Sequence, residues 1–244
     1  MNNDSNATDI SPLASALAGP ADSGPASAVP DALWAEDSAL SLLQQPDLPP
    51  DLIERLSKSS VTARSRKLKM AIVRHSKTPR YVSLSLIRKL FTFDLMQVAL
   101  TPTVVGDLKM AAEETLINRL ETISAGERLS LARRASGRVA GALLLAAEPR
   151  IVQAALENPR LTEALVIKVV LRDEASAALV RAVCAHSQWS LRREIRIALL
   201  RNRHTPPGHA VEFAKSLPND VVREILRNSN LPEDVKVCLM ESEP

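Results

Sequence analysis

The sequence predicts an all-α protein in which short helix pairs stack into an α-solenoid over residues 48–244, behind an acidic segment at 1–47. Three observations carry that expectation. The chain is 45% hydrophobic, enough for a continuous core in 244 residues. Only 2% of residues are aromatic and only 7 are glycine, so the core must be built from Ala, Leu, Val and Ile, which suits closely packed helices better than a sandwich or barrel. One short helical pattern also recurs along the chain, and no stretch alternates apolar and polar residues as a half-buried strand would.

From Met1 to about Pro30 the chain is rich in Ala, Ser, Pro, Asp and Asn without periodic apolar positions. Such a segment cannot bury enough surface to offset its ordering entropy and is expected to be disordered. Residues 31–45 differ: Asp31 can cap a short helix on which Leu33, Leu40 and Leu43, with Trp34 beside them, share one side opposite Glu36 and Asp37. Pro46, Pro49 and Pro50 then break the chain. Residues 1–50 hold seven acids (Asp4, Asp9, Asp22, Asp31, Glu36, Asp37, Asp47) and no Lys or Arg. The remainder therefore carries all 31 bases against 21 acids, 28 less those 7, and is strongly basic.

The repeat is an apolar stripe that ends at Asn or His, followed three residues later by Thr, Leu or Trp and often by Pro. Leu68, Ala71, Ile72 and His75 precede Thr78-Pro79, and Ile151, Ala154, Ala155 and Asn158 precede Leu161-Thr162. The same register gives Leu179, Ala182, Val183, His186 and Trp189; then Ile195, Ala198, Leu199, Asn202 and Thr205-Pro206; then Val221, Ile225, Asn228 and Leu231-Pro232. The spacing is one helical face, the Asn or His suits a left-handed turn that stops the helix, and Thr-Pro supplies a cap and first-turn residue for the next. His75, Thr78, Asn158, His186, Asn202, Thr205 and Asn228 are thus expected to be turn and cap residues. Further helix starts are expected at Leu48-Pro49-Pro50, at Thr101-Pro102 and at Ser124, whose Glu127 completes a capping box.

Prolines 49, 79, 102, 206 and 232 lie 30, 23, 104 and 26 apart, and 104 is four units of 26. His186 and Asn202 are only 16 apart, so a helix is shortened or lost between them and the stack is expected to be irregular near Trp189. A unit this short cannot bury its own apolar face and needs its neighbours. Turns of the form Asn202-Arg203-His204-Thr205-Pro206 resemble those of the bacterial leucine-rich-repeat-variant and HEAT-like α-solenoids, over about residues 48–240. The resemblance implies architecture and is silent about activity. An iron–sulfur cluster carried ahead of the repeats in one such type is not implied, since no cysteine precedes Cys184.

Catalytic signatures are missing from the sequence. The seven glycines form no phosphate-binding loop and no GxSxG elbow, and Gly137 with Gly141 reads as a close helix contact. His204 and His209 are five apart, off the spacing that puts two metal ligands on one helix face. Cys184 and Cys238 both lie in apolar helical contexts and read as buried thiols. No catalytic residue, cofactor or metal is expected. With no signal peptide pattern and no long apolar run, no membrane span and a cytoplasmic location are expected.

The functional signal is electrostatic. From Arg55 to Phe93 there are eleven bases (Arg55, Lys58, Arg64, Arg66, Lys67, Lys69, Arg74, Lys77, Arg80, Arg88, Lys89) and no acid, with Tyr81, Phe91 and Phe93 close by. A second cluster, Arg192, Arg193, Arg196, Arg201 and Arg203, has Trp189 beside it for stacking. These residues predict a non-enzymatic interaction scaffold with a basic end, whose partner is another protein or, in the alternative, nucleic acid held through its phosphates. The acidic tail is a third candidate, as an intramolecular ligand for the same patch.

Overall fold

The computed structural model describes residues 35–241, so the expected disorder of 1–30 and any part that Asp31, Leu33 and Trp34 play in a helix lie outside the described residues. Among the described residues all regular structure is α-helical, in sixteen helices without a strand. The first seven are α1 (Glu36–Leu42), α2 (Pro50–Lys58), α3 (Ser60–Arg64), α4 (Arg66–Arg74), α5 (Arg80–Ile87), α6 (Thr92–Leu100) and α7 (Gly106–Arg119). They are followed by α8 (Ala125–Arg134), α9 (Gly137–Leu143), α10 (Pro149–Leu156), α11 (Glu163–Val170) and α12 (Ala177–Ala185). The last four are α13 (Arg193–Leu200), α14 (Pro207–Lys215), α15 (Asn219–Arg227) and α16 (Glu233–Glu241).

Local chemistry sets the helix starts. Ser59, Ser65 and Ser176 each accept the backbone N–H three residues on, and Ser124 with Glu127 forms the reciprocal capping box. Proline occupies the first helical position of α2, α10 and α14, where its missing N–H costs nothing. The cap roles expected of Thr78 and Thr205 are not realised. Pro79 and Pro206 are the N-caps of α5 and α14, and each threonine hydroxyl donates backward over 2.6 Å to a carbonyl six residues earlier, Ile72 and Leu199. The threonine therefore closes the preceding helix, whose last carbonyls lack intrahelical donors. Thr101-Pro102 starts no helix either: Thr101 donates to the Gln97 carbonyl, and α7 begins four residues later.

The turn residues stand where the repeat places them but work by a different route. No described non-glycine residue has a positive φ, so the left-handed turn is absent. Instead the Oδ1 of Asn158 and Asn202 accepts the N–H two residues on, at 2.8 Å in both cases, and the Nδ1 of His75 and His186 does the same at 3.2 Å. This is an Asx-type turn in which imidazole replaces carboxamide. Asn228 ends α15 at φ −112° and ψ 15°.

The other end of the same side chains reaches the previous unit. Asn158 Nδ2 donates to the carbonyls of Ala132 and Ala135, and Asn202 Nδ2 donates to that of Val170. The second ring nitrogen of His75 lies 2.9 Å from the Gln45 carbonyl. Asn158 is 3% and Asn202 8% exposed, so these bonds satisfy groups that water cannot reach.

The principal contacts join helices one, two or three places apart in chain order: α4 with α5 and α6, α8 with α9 and α10, α9 with α10 and α11, α11 with α13, α14 with α16. The core is aliphatic, with Ile53, Leu56, Leu68, Ile72, Leu116 and Leu131 almost wholly buried and Ala112, Ala132, Ala140 and Ala155 letting helices approach. Gly137 and Gly141 bring α9 against Arg160 and Leu165. Helix α1 packs on α4 with Ala39, Leu42 and Leu43 buried, so the folded body begins upstream of residue 48. Only α13 stands between His186 and Asn202, as the short spacing predicts; it follows one turn and precedes the next.

Candidate functional site

The eleven bases do not form one patch. Lys58, Lys69 and Lys89 line a groove with Tyr81 over α2 to α5, whereas Arg64, Arg66, Lys67 and Arg74 line another between α1, α4 and α6. Acids from outside the stretch neutralise three of them: Glu54 pairs with Lys58, Asp94 with Arg66 and Asp107 with Arg80, each at 2.7 Å. The Arg66 pair is built in, because both carboxylate oxygens of the buried Asp94 accept from the guanidinium. Lys58 and Tyr81, which donates to Glu54, together hold that carboxyl below its usual range.

Eight bases have no acidic partner among the described residues, including Arg64, Lys67, Arg74, Lys77, Arg88 and Lys89. All six are exposed. The segment that carries Arg88 and Lys89 is held from below, since the Arg119 guanidinium donates to the carbonyls of Arg88 and Leu90. Ser65 donates to Glu36 at 3.0 Å, which brings the first residue of α1 to the rim of the arginine groove.

Aromatic placement adds a signal that composition alone does not give. Trp189 and Phe213 are 3% and 1% exposed, as core residues should be, but Tyr81, Phe91 and Phe93 are 59%, 64% and 40% exposed. All three belong to the basic stretch, and the Arg66 guanidinium lies 5.9 Å from the centre of the Phe91 ring.

The second cluster differs from expectation. Trp189 offers no face for stacking, because it fills the buried position that Leu161, Thr205 and Leu231 fill in other copies, and its Nε1 donates to the Leu156 carbonyl. Arg196 is structural: its Nε donates to the Ser190 carbonyl and its guanidinium covers Phe213 at 5.4 Å. Arg192 lies 3.7 Å from Glu163, and Arg193 is exposed. Arg201 and Arg203 line a different groove, with Arg172, His204 and Lys236.

Among the described residues no three His, Cys, Asp or Glu side chains converge on one point. Burial pushes the Cys184 thiol up to about 12, too high for a nucleophile, and Cys238 is exposed where a buried thiol was expected. Among the described residues no helix is long and apolar enough to cross a membrane. No family model, curated protein or solved structure matches the chain.

His186 yields a pH prediction. Burial lowers its pKa below the ordinary 6.5, with Glu157 pulling weakly the other way, and its Nδ1 must stay unprotonated to accept from Gln188. The unfolded chain thus takes up the proton more readily than the folded one. The stability this contributes is present above about pH 6.5 and is lost as pH falls. Asparagine does the same job at 158 and 202, so His186→Asn should keep stability at pH 7.5 and lose less of it at pH 5 than the parent. Parallel declines in thermal melts at the two pH values would show that His186 is not responsible.

Proposed function

We propose that this chain is a non-enzymatic interaction scaffold, a HEAT-like α-solenoid that captures an acidic partner protein on its basic N-terminal end. The observation that carries the reading is the exposure of Tyr81, Phe91 and Phe93 within the basic stretch, with Tyr81 in a groove beside Lys69 and Lys89, which have no acidic partner among the described residues. Exposed aromatic and arginine side chains are the residues that dominate binding energy at protein interfaces. Glu36, Glu54, Asp94 and Asp107 interrupt the positive field, which suits a partner with discrete carboxylates better than a continuous phosphate chain. In the same reading the acidic residues 1–34 modulate access to these bases.

The same aromatics favour a second reading, binding of single-stranded nucleic acid by stacking and phosphate contact. The triple reversal Arg64→Glu, Lys67→Glu and Arg74→Glu separates the two. Full-length protein and variant are titrated by fluorescence anisotropy against a glutamate-rich peptide and a 20-nucleotide single strand at low and moderate salt. The first reading expects peptide binding that weakens with salt and falls about tenfold or more in the variant, a change of roughly 1.4 kcal/mol. The second expects strand binding whose logarithmic salt slope drops by about 2 when three phosphate contacts go. Binding of neither probe, or binding that the reversal leaves untouched, overturns both.

A further inference from the structure

A further groove lies away from the basic end, between α7, α8, α9 and α11. Its floor is apolar, with half-exposed Ile117, Leu120, Leu145 and Leu165, and Arg128, Arg138, Lys168 and Arg172 surround it. Arg128 and Arg138 are partly neutralised by Glu148 at 2.7 Å and Glu113 at 3.7 Å. Lys168 and Arg172 are exposed, one helical turn apart on α11 and its end, with no acidic partner among the described residues. The Arg128 Nε and the Glu148 Oε2 are both buried within the ion pair of those two residues, which forms part of the groove wall. Arg172 also lines the groove that holds Arg201 and Arg203, so the positive rim continues toward α13 and α14.

We infer that this groove docks an acidic amphipathic helix from a partner protein, its leucine-type side chains against Leu120, Leu145 and Leu165 and its carboxylates on Lys168 and Arg172. The choice of occupant rests on complementarity. An amphipathic helix matches both the apolar floor and the two unpaired bases of the rim, whereas a phosphate chain would leave the floor uncovered. The chain's own α1 is not the occupant, because Ala39, Leu42 and Leu43 are already buried on α4. The groove owes its shape to the glycines of α9, which seat that helix against Leu165.

The test uses the full chain and a labelled helical 18-mer with leucine at i, i+3, i+4 and i+7 and glutamate on the flanks. A glutamine version of the peptide and a 20-nucleotide single strand serve as comparisons. The acidic peptide is expected to bind, the glutamine version to bind about tenfold or more weaker, and Lys168→Glu with Arg172→Glu to cost at least a further tenfold. Both substituted residues are exposed, and a circular dichroism spectrum of the variant is to be recorded to check that it folds. The charge reversal at Arg64, Lys67 and Arg74 is expected to leave this binding in place, which separates it from the basic-end reading. The inference is overturned if the acidic peptide does not bind, if the α11 substitutions leave its affinity unchanged, or if they abolish strand binding alone.

Discussion

Gly137→Ala is expected to destabilise the fold by about 3 kcal/mol, at the upper end of overpacking effects. A Cβ built on Gly137 lies 2.1 Å from the carbonyl oxygen of Arg160, and that obstacle is backbone rather than the yielding tip of a side chain. The turn it belongs to is held by Asn158, so the clash cannot be relieved without breaking the Asn158 bonds as well. Gly141→Ala is the internal control. There the added methyl meets Leu165 at 3.7 Å, an ordinary contact, and the helix gains the roughly 0.5–1 kcal/mol that alanine brings over glycine. Urea titrations of the two variants should therefore move in opposite directions. Two similar midpoints would mean that α9 is not clamped against residue 160.

Asn158→Asp is expected to cost as much or more, about 3 kcal/mol. The carboxamide donates to the carbonyls of Ala132 and Ala135 at 2.7 and 3.2 Å while accepting the Arg160 N–H at 2.8 Å. A carboxylate keeps only the acceptor half and sets a negative charge against two carbonyl oxygens in a site 3% exposed. Asn158→Ala should fall between, losing all three bonds but burying no charge, at about 2 kcal/mol. Thermal melts at pH 7 check the order, and an aspartate variant as stable as the alanine one would show that the carbonyls have other donors.

Much of the framework is legible in the sequence because its causes are local. The apolar spacing of Ile195, Ala198 and Leu199, the capping box at Ser124 and the missing helix between His186 and Asn202 depend on residues within a few turns of each other. What the sequence hides are choices decided by the neighbouring unit. Asn158 needs no left-handed backbone once carbonyls of α8 and the residue after it are within reach of its amide. Trp189 is a core plug rather than a stacking platform because a carbonyl 33 residues earlier takes its indole proton.

The charge run misleads for the same reason. Its neutralising acids are absent from the stretch itself, and two stand about one unit from their bases: Asp94 is 28 residues from Arg66, and Asp107 is 27 from Arg80. Where a turn signature recurs at 23 to 30 residues, such positions can be neighbours in space. Counting acids at that offset would have removed Arg66 from the unpaired set. No comparable signal marks the groove at Lys168 and Arg172, whose floor comes from four helices.

The double duty of α13 bears on how this chain can be cut or lengthened. Where a helix pair is a complete module, a whole copy can be excised and the ends rejoined in phase, as when a bead leaves a string. Between His186 and Asn202 there is no such seam, since removing the modules on either side takes half of the other with it. A break near Arg193 would sever the one helix that the two turns share.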